Sequence, residues 1–293
     1  TKYRSNRQSY VFANSIFNFL LLILLGIVFL CEIFMGGVMY LISPGFVGDT
    51  NKFEVAKTLS RITFPFLLFV SLSSFLSAIL NSNNKFAASA AAPIILNIFF
   101  IISIFISNYY DKSFVHSMSL AVFFSGIIQF LILLFCVRKY FLPTIGFKFL
   151  NLSYIKDFFK RILPSIFSSG IMQINILVGT IIASFQSSAV SYLYYADRVY
   201  QLPLALTGIA VGTVILPVLS KSLKSDTDKN VKFLQNRSVE LSLFLSAPAA
   251  AGLVIGSEQI ISCLFGYGSF DIKSINQTSK ALVIFGYGLP AFS

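Results

Sequence analysis

Arg198 and Asp197 are the residues of this 293-residue chain whose surroundings call for a chemical explanation. They stand in 194-YYADRVYQLP-203, between 162-ILPSIFSSGIMQINILVGTIIASF-185 and 204-LALTGIAVGTVILPVL-219, both overwhelmingly apolar. A charged side chain near the bilayer centre costs about 2.5–3.5 kcal/mol on insertion scales, so it normally faces a protein interior or a wet cavity. Ser191, Tyr194, Arg198 and Gln201 recur at i, i+3, i+7 and i+10 and so share one helical face. Asp197 is offset by one position, and adjacent helical side chains diverge, so it cannot simply neutralise Arg198. The spacing therefore predicts a guanidinium without an obvious partner in its own helix. Set on a polar stripe, it suits bidentate capture of a phosphate or carboxylate. Ser168, Ser169, Gln173 and Asn175 in the preceding apolar run are candidates to line the same space. The alternative is an interhelical ion pair that only holds a bundle together. Glu32, the remaining charge inside an apolar run, is either its partner or a side chain that snorkels outward.

The elements that must position these groups are membrane helices. Hydrophobic residues make up 56% of the chain and charged ones 11%, with mean hydropathy +0.81 and no Trp. Soluble domains carry roughly a quarter charged residues, which excludes that class. Apolar runs of roughly 20 residues, repeated along a chain, mark spanning helices. Eight occur, at about 12–42, 61–81, 86–107, 117–137, 162–185, 189–220, 238–262 and 279–293. The expected fold is all-α, a polytopic membrane helix bundle. The chain starts at Thr1 and stops inside an apolar run at Ser293, with no secretory signal, and reads as a fragment of a longer membrane protein.

A net charge of +11 would suit nucleic acid, but its distribution argues against that partner. With the N-terminus inside and sides alternating, the inner connections hold fifteen Lys and Arg and the outer ones six. That bias is the positive-inside rule, so the basicity reports orientation. Cys31, Cys136 and Cys263, an odd number at unrelated spacings, form neither a disulfide framework nor a metal motif and read as small core residues. The single His116 reads as a solvated loop residue, and no cofactor or metal site is expected.

Seven of the nine prolines fall in apolar runs: Pro65, Pro93, Pro164, Pro203, Pro217, Pro248 and Pro290. Together they favour helices that bend and rock. Small residues in 87-AASAAAP-93 and at Gly208 and Gly212 permit close helix contact. The segment 154-YIKDFFKRIL-163 either lies on the inner leaflet or simply extends the next span. A shift of 223 residues aligns 41-LISPGFVGDTNKFEVAKTL-59 with 264-LFGYGSFDIKSINQTSKAL-282, a weak internal repeat of parallel topology.

The block 194-YYADRVYQLPLALTGIAVGTVILPVLSKS-222 closely resembles the corresponding span of the MurJ/MviN lipid II flippase family. Further matches, in the family's order, are 42-ISPGF-46, 62-ITFPFLLFVSLSSFLSAILNSNNKFA-87, 93-PIILN-97, 181-IIASF-185, 264-LFGYGSFD-271 and 281-ALVIFGYGL-289. The resemblance implies a fourteen-helix, two-lobe flippase around a cationic cavity, of which this chain covers about the third to tenth helices. Residues 1–150 would belong to the N-lobe and 151–293 to the C-lobe. It implies a multi-pass protein of the bacterial inner membrane, a transporter and not an enzyme, whose partners are lipid II, a lipid-linked pyrophosphate glycan, and membrane lipids. Arg198 matches the family's essential cavity arginine, Asp197 its neighbouring aspartate and Ser191 a cavity serine. Gln201 stands where many relatives have glutamate. The resemblance also raises coupling to a monovalent cation. Gly179 occupies a position where many members carry an aspartate implicated in sodium binding, which weakens a sodium site there. The nearest rival is a related exporter of another lipid-linked oligosaccharide or a drug. A membrane enzyme acting on prenyl phosphates would need clustered acidic or His residues at a membrane edge, which the sequence lacks.

Overall fold

The computed structural model describes residues 6–110, 113–146, 150–209 and 228–292. These residues are helical with no strand among them. In hydrocarbon every backbone N–H and C=O must be satisfied within its own segment, and the helix does this. The elements are α1 (Asn6–Ile33), α2 (Met35–Ile42), a 3-10 turn (Pro44–Phe46), α3 (Thr50–Thr63), α4 (Phe66–Ser82), α5 (Phe86–Tyr110) and α6 (Phe114–Val137). They are followed by α7 (Leu152–Ser184), α8 (Ala189–Leu204), a π turn (Ala205–Ile209), α9 (Asp228–Ile255), α10 (Ser257–Phe265) and α11 (Ile272–Phe292). By length and composition, five stretches among the described residues can cross a membrane: 8–33, 50–82, 86–109, 114–137 and 231–255. The two halves of α7 make a sixth if they count as one span across their 44° bend. Large apolar side chains such as Phe29, Phe105 and Phe135 face outward, as expected where the solvent is lipid.

Each apolar run begins or ends at a local cause. Pro65 separates α3 from α4, while Pro93, Pro164, Pro248 and Pro290 lie inside helices. Pro203 lies two residues before the π turn, and the Thr207 hydroxyl donates to the Pro203 carbonyl at 2.9 Å. Pro217 and Gly212 lie outside the described residues. Segment 154–163 is a helical extension of the following span, since α7 runs on from Leu152. His116 belongs to the first turn of α6 rather than to a loop, with a ring nitrogen 3.2 Å from Ser113 Oγ. The cysteines are free: Cys136 is half-buried and packs against the first core as expected, Cys31 is half-buried, and Cys263 is exposed rather than a core residue.

Contacts divide the chain into two compact units, residues 1–185 and 186–293. The first is centred on Phe17, Leu72, Leu76, Leu80, Leu133, Val137 and Phe141, contributed by α1, α4, α6 and the segment after α6. That segment is held by an amide ladder. Thr144 N–H donates to Asn14 Oδ1 at 2.8 Å, and Gly146 N–H to Asn18 Oδ1 at 2.9 Å. Asn14 Nδ2 and Asn18 Nδ2 return bonds to the Thr144 carbonyl at 3.1 and 2.8 Å. Tyr10 donates to the Leu142 carbonyl, so the Thr144 hydroxyl supplies the proton of their 2.7 Å contact. The first half of α7 lies on α1 through edge-on ring pairs, Phe12 with Tyr154 and Phe19 with Phe159. The longest polar connection, from which a boundary near 150 is expected, thus lies within the first unit by contact.

The second unit packs α8, α9, α10 and α11 around Ala196, Val199, Leu253, Ile261, Leu282 and Leu289. The weak repeat has a local structural counterpart. α1 and α2 join at a kink where Phe34 and Val38 keep i→i−4 bonds, and α9 and α10 join likewise at Gly256 and Ile260. After each short helix comes a turn, then an aspartate capping the next helix. Asp49 Oδ1 accepts from Lys52 N–H at 3.0 Å, and Asp271 Oδ1 from Ser274 N–H at 2.8 Å. A capping oxygen satisfies one orphan donor of the first turn.

Candidate functional site

The site is built on α8. Its buried face carries Ala196, Val199 and Tyr200, which pack into the core of the second unit. Two ring clusters fix the helix about its axis. Tyr195 lies 4.9 Å from Phe265 and 5.3 Å from Phe270, and Tyr200 lies 5.4 Å from Phe285, centroid to centroid. With that face committed, helical geometry turns Ser191, Tyr194, Arg198 and Gln201 outward. All four are exposed and Asp197 is half-buried. The stripe expected from spacing is therefore the open face of this unit.

One expectation is corrected. Arg198 has a partner in its own helix: its Nη2 donates to the Tyr194 hydroxyl at 3.0 Å, and its guanidinium carbon stands 4.7 Å from the Tyr194 ring centroid. Residues i and i+4 are neighbours on a helix, and a cation over a phenol ring is attracted to its negative face. The reading by face sought an opposite charge as the partner and so passed over Tyr194 on the same stripe. Gln201 Nε2 donates to Asp197 Oδ2, again at i, i+4. The stripe thus resolves into two pairs, Tyr194 with Arg198 and Asp197 with Gln201. The Tyr194 hydroxyl accepts from one of the guanidinium's five N–H donors, so most of the fork remains directed outward. Ion pairs among the described residues join Lys57 to Glu54 at 2.7 Å and Arg237 to Glu240 at 2.9 Å.

Gln173 and Asn175 are exposed on α7, in the first unit. Two positions apart on a helix, they point to opposite sides, so one of them at most shares a face with Ser169. Glu32 is also in the first unit. The charge that acts on it there is Arg61 of α3, and its Oε1 is buried without a hydrogen-bond partner. Gly179 has no neighbouring atom within 4 Å of where a Cβ would stand. No group of three or more His, Cys, Asp or Glu among the described residues could hold a metal ion.

An exposed polar stripe on a helix of an otherwise apolar, multi-pass bundle defines a polytopic membrane protein with a candidate anion-binding face. The family model described as "Lipid II flippase MurJ" matches residues 1–293. The chain is 37% identical over 288 residues to the probable lipid II flippase MurJ of Rickettsia prowazekii (strain Madrid E), covering 98% of this chain and 57% of that protein. It is 39% identical over 286 residues to the probable lipid II flippase MurJ of Rhizobium meliloti (strain 1021), covering 96% and 53%. A solved structure of a lipid II flippase MurJ in an inward closed conformation superposes with TM-score 0.84 at 30% identity, covering 99% of this chain and 60% of the other. The chain belongs to the MurJ lipid II flippase family, and it spans about half the length of the relatives it matches.

Proposed function

We propose that the intact protein moves a lipid-linked pyrophosphate glycan of the lipid II kind across the bacterial inner membrane by alternating access, as a transporter and not an enzyme. The observation that carries the reading is Arg198, held on the open face of α8 with no ion pair to a carboxylate among the described residues. The family membership supports the cargo, since the relatives are named for lipid II. In this reading residues 1–150 belong to the N-lobe and 151–293 to the C-lobe. Asp197, Ser191, Tyr194 and Gln201 are headgroup contacts beside Arg198, and Gln173 and Asn175 are further polar neighbours. The fork of Arg198 receives the pyrophosphate, and the prenyl tail stays in lipid. The helices interrupted by Pro65 and bent within α7 let the lobes rock.

The test is lipid II transport by the full-length protein in proteoliposomes, with genetic complementation beside it. Arg198→Ala removes charge-assisted hydrogen bonds that are each worth about 1.5–3 kcal/mol, so transport should fall by roughly 10- to 100-fold. Arg198→Lys keeps the charge and loses the planar fork, and should recover only part of that loss. Full transport by Arg198→Ala would remove the arginine from the reading. Competition by other lipid-linked headgroups, equal to that of lipid II, would favour a related exporter instead.

A further inference from the structure

Two motifs of the sequence, 42-ISPGF-46 and 181-IIASF-185, lie 139 residues apart and have no part in the arginine site. In the structure they touch. Gly45 N–H donates to Ser184 Oγ at 3.0 Å. Within the 3-10 turn, Phe46 N–H bonds the Ser43 carbonyl and Val47 N–H the Pro44 carbonyl. Pro44 has no N–H, so Gly45 carries the turn's one amide that needs an outside acceptor. Ser184 is committed to that role, because its own proton goes to the Ile181 carbonyl at 2.7 Å and only a lone pair is left for Gly45.

The approach is closer than any side chain allows. A Cβ at Gly45 would collide with the backbone carbonyl of Ser184 and the backbone nitrogen of Phe185. These are main-chain atoms at the end of α7 and cannot swing aside as a flexible side chain can. The φ of Gly45 is not positive, so the glycine serves proximity and not a left-handed turn. Ser184 is 2% exposed and Ser43 6%, while Gly45 is half-buried. At its other half, α7 lies on α1 with ring edges in the contact, Phe12 with Tyr154 and Phe19 with Phe159.

We propose that Gly45 and Ser184 form a clasp that shuts the seam between the 44–46 turn and the end of α7, on the side that the charge pattern assigns to the outside. The clasp must part when the protein opens to that side. This rests on the alternating-access reading. A single hydrogen bond on a glycine-only contact suits such a role, because it closes tightly and opens at the cost of one bond.

The experiment uses the full-length protein with its native cysteines replaced by alanine and Ser43→Cys, buried beside the turn, as a reporter. A membrane-impermeant maleimide is added from outside. The buried thiol should react slowly in the parent, and Gly45→Ala should raise its rate by roughly tenfold or more, since overpacking against backbone forces the contact apart. Gly37→Ala meets nothing within 4 Å and should leave the rate unchanged. Should Gly45→Ala fail to accumulate in the membrane, the same reporter is read with Ser184→Ala, which removes only the bond. A rise of roughly two- to tenfold is then expected. Equal labelling with and without the substitution, in either pair, overturns the clasp. Labelling needs no cargo, so loss of lipid II transport activity from the parent protein would sink the proposed function while the thiol response still stands or falls by itself.

Discussion

Asn14→Ala offers the sharpest test of how the first unit is held together. Asn14 Oδ1 accepts from Thr144 N–H at 2.8 Å, and its Nδ2 donates to the Thr144 carbonyl at 3.1 Å. The carbonyl keeps a second donor, Asn18 Nδ2 at 2.8 Å, so its loss is partial. The amide of Thr144 keeps no partner. Asn14 is 2% exposed while Thr144 is exposed, so water reaches the vacated place in part. An unsatisfied buried donor costs about 1–3 kcal/mol, and the thinned carbonyl adds a fraction of one ordinary bond, about 0.5 kcal/mol. The sum spans about 1.5–3.5 kcal/mol, and because Thr144 itself is exposed the lower end applies, a rise of roughly 10-fold in local opening. Hydrogen exchange of the full-length protein in detergent reads this directly at the Thr144 amide. The Gly146 amide, held by Asn18, should respond more weakly. Asn14→Asp keeps the acceptor but sets a carboxylate against the Thr144 carbonyl, and should be relieved at acid pH. Parent amides at 144 and 146 that exchange as fast as an open loop would refute the ladder, as would no change at Thr144 in Asn14→Ala.

Three further outcomes follow from the geometry. A Cβ at Gly126 would lie 2.6 Å from Phe66 Cδ2 and 3.3 Å from Phe69 Cβ, so Gly126→Ala should cost about 1–3 kcal/mol and lower the melting temperature in detergent. Gly26→Ala, with nothing within 4 Å, should not. Tyr194→Phe loses the hydroxyl that orients Arg198 but keeps the ring beneath it, whereas Tyr194→Leu loses both. Transport should therefore fall in the order parent, Phe, Leu, and equal rates for Phe and Leu would exclude the ring contact. The Asp271 carboxyl is held below the usual carboxylate range, chiefly by hydrogen bonds from the side chain and backbone of Ser274. A lowered folded value means that the cap contributes above the unfolded value and is lost as pH falls through the folded one. The start of α11 should thus fray only below about pH 4, read by exchange at the Ser274 amide, and Asp271→Asn should remove that pH dependence.

Much of the framework was legible in the residues, because in lipid the length of an apolar run and the period of its exceptions dictate a helix and its faces. The run 12–42 became α1 and α2, 61–81 became α4 with the end of α3, and 162–185 became the greater part of α7. The stripe Ser191, Tyr194, Arg198, Gln201 is the exposed face of α8, since a period of 3.6 leaves only one way to bury Ala196, Val199 and Tyr200. Cys263 misled for the same reason that hydropathy works: an apolar neighbourhood in a membrane chain is as often lipid as core, and it is exposed, whereas Cys136 packs against the first core.

The pairings across long sequence distance needed the folded chain. Two asparagines at i, i+4 in an apolar run hint at a polar duty, but nothing local tells Asn14 and Asn18 that their partner is the backbone at 144–146. Backbone groups carry no sequence label. The meeting of Gly45 with Ser184 is likewise silent, because a glycine kept for close approach looks the same as one kept for a turn until the neighbouring main chain is in place. By itself the sequence determined helices, faces, family resemblance and the exposed arginine. Tertiary structure alone decided who holds what: Tyr194 beneath Arg198, Gln201 on Asp197, and two segments 139 residues apart brought to one hydrogen bond. Periodicity is a one-dimensional property that a single helix expresses, whereas contact depends on packing that no single helix contains.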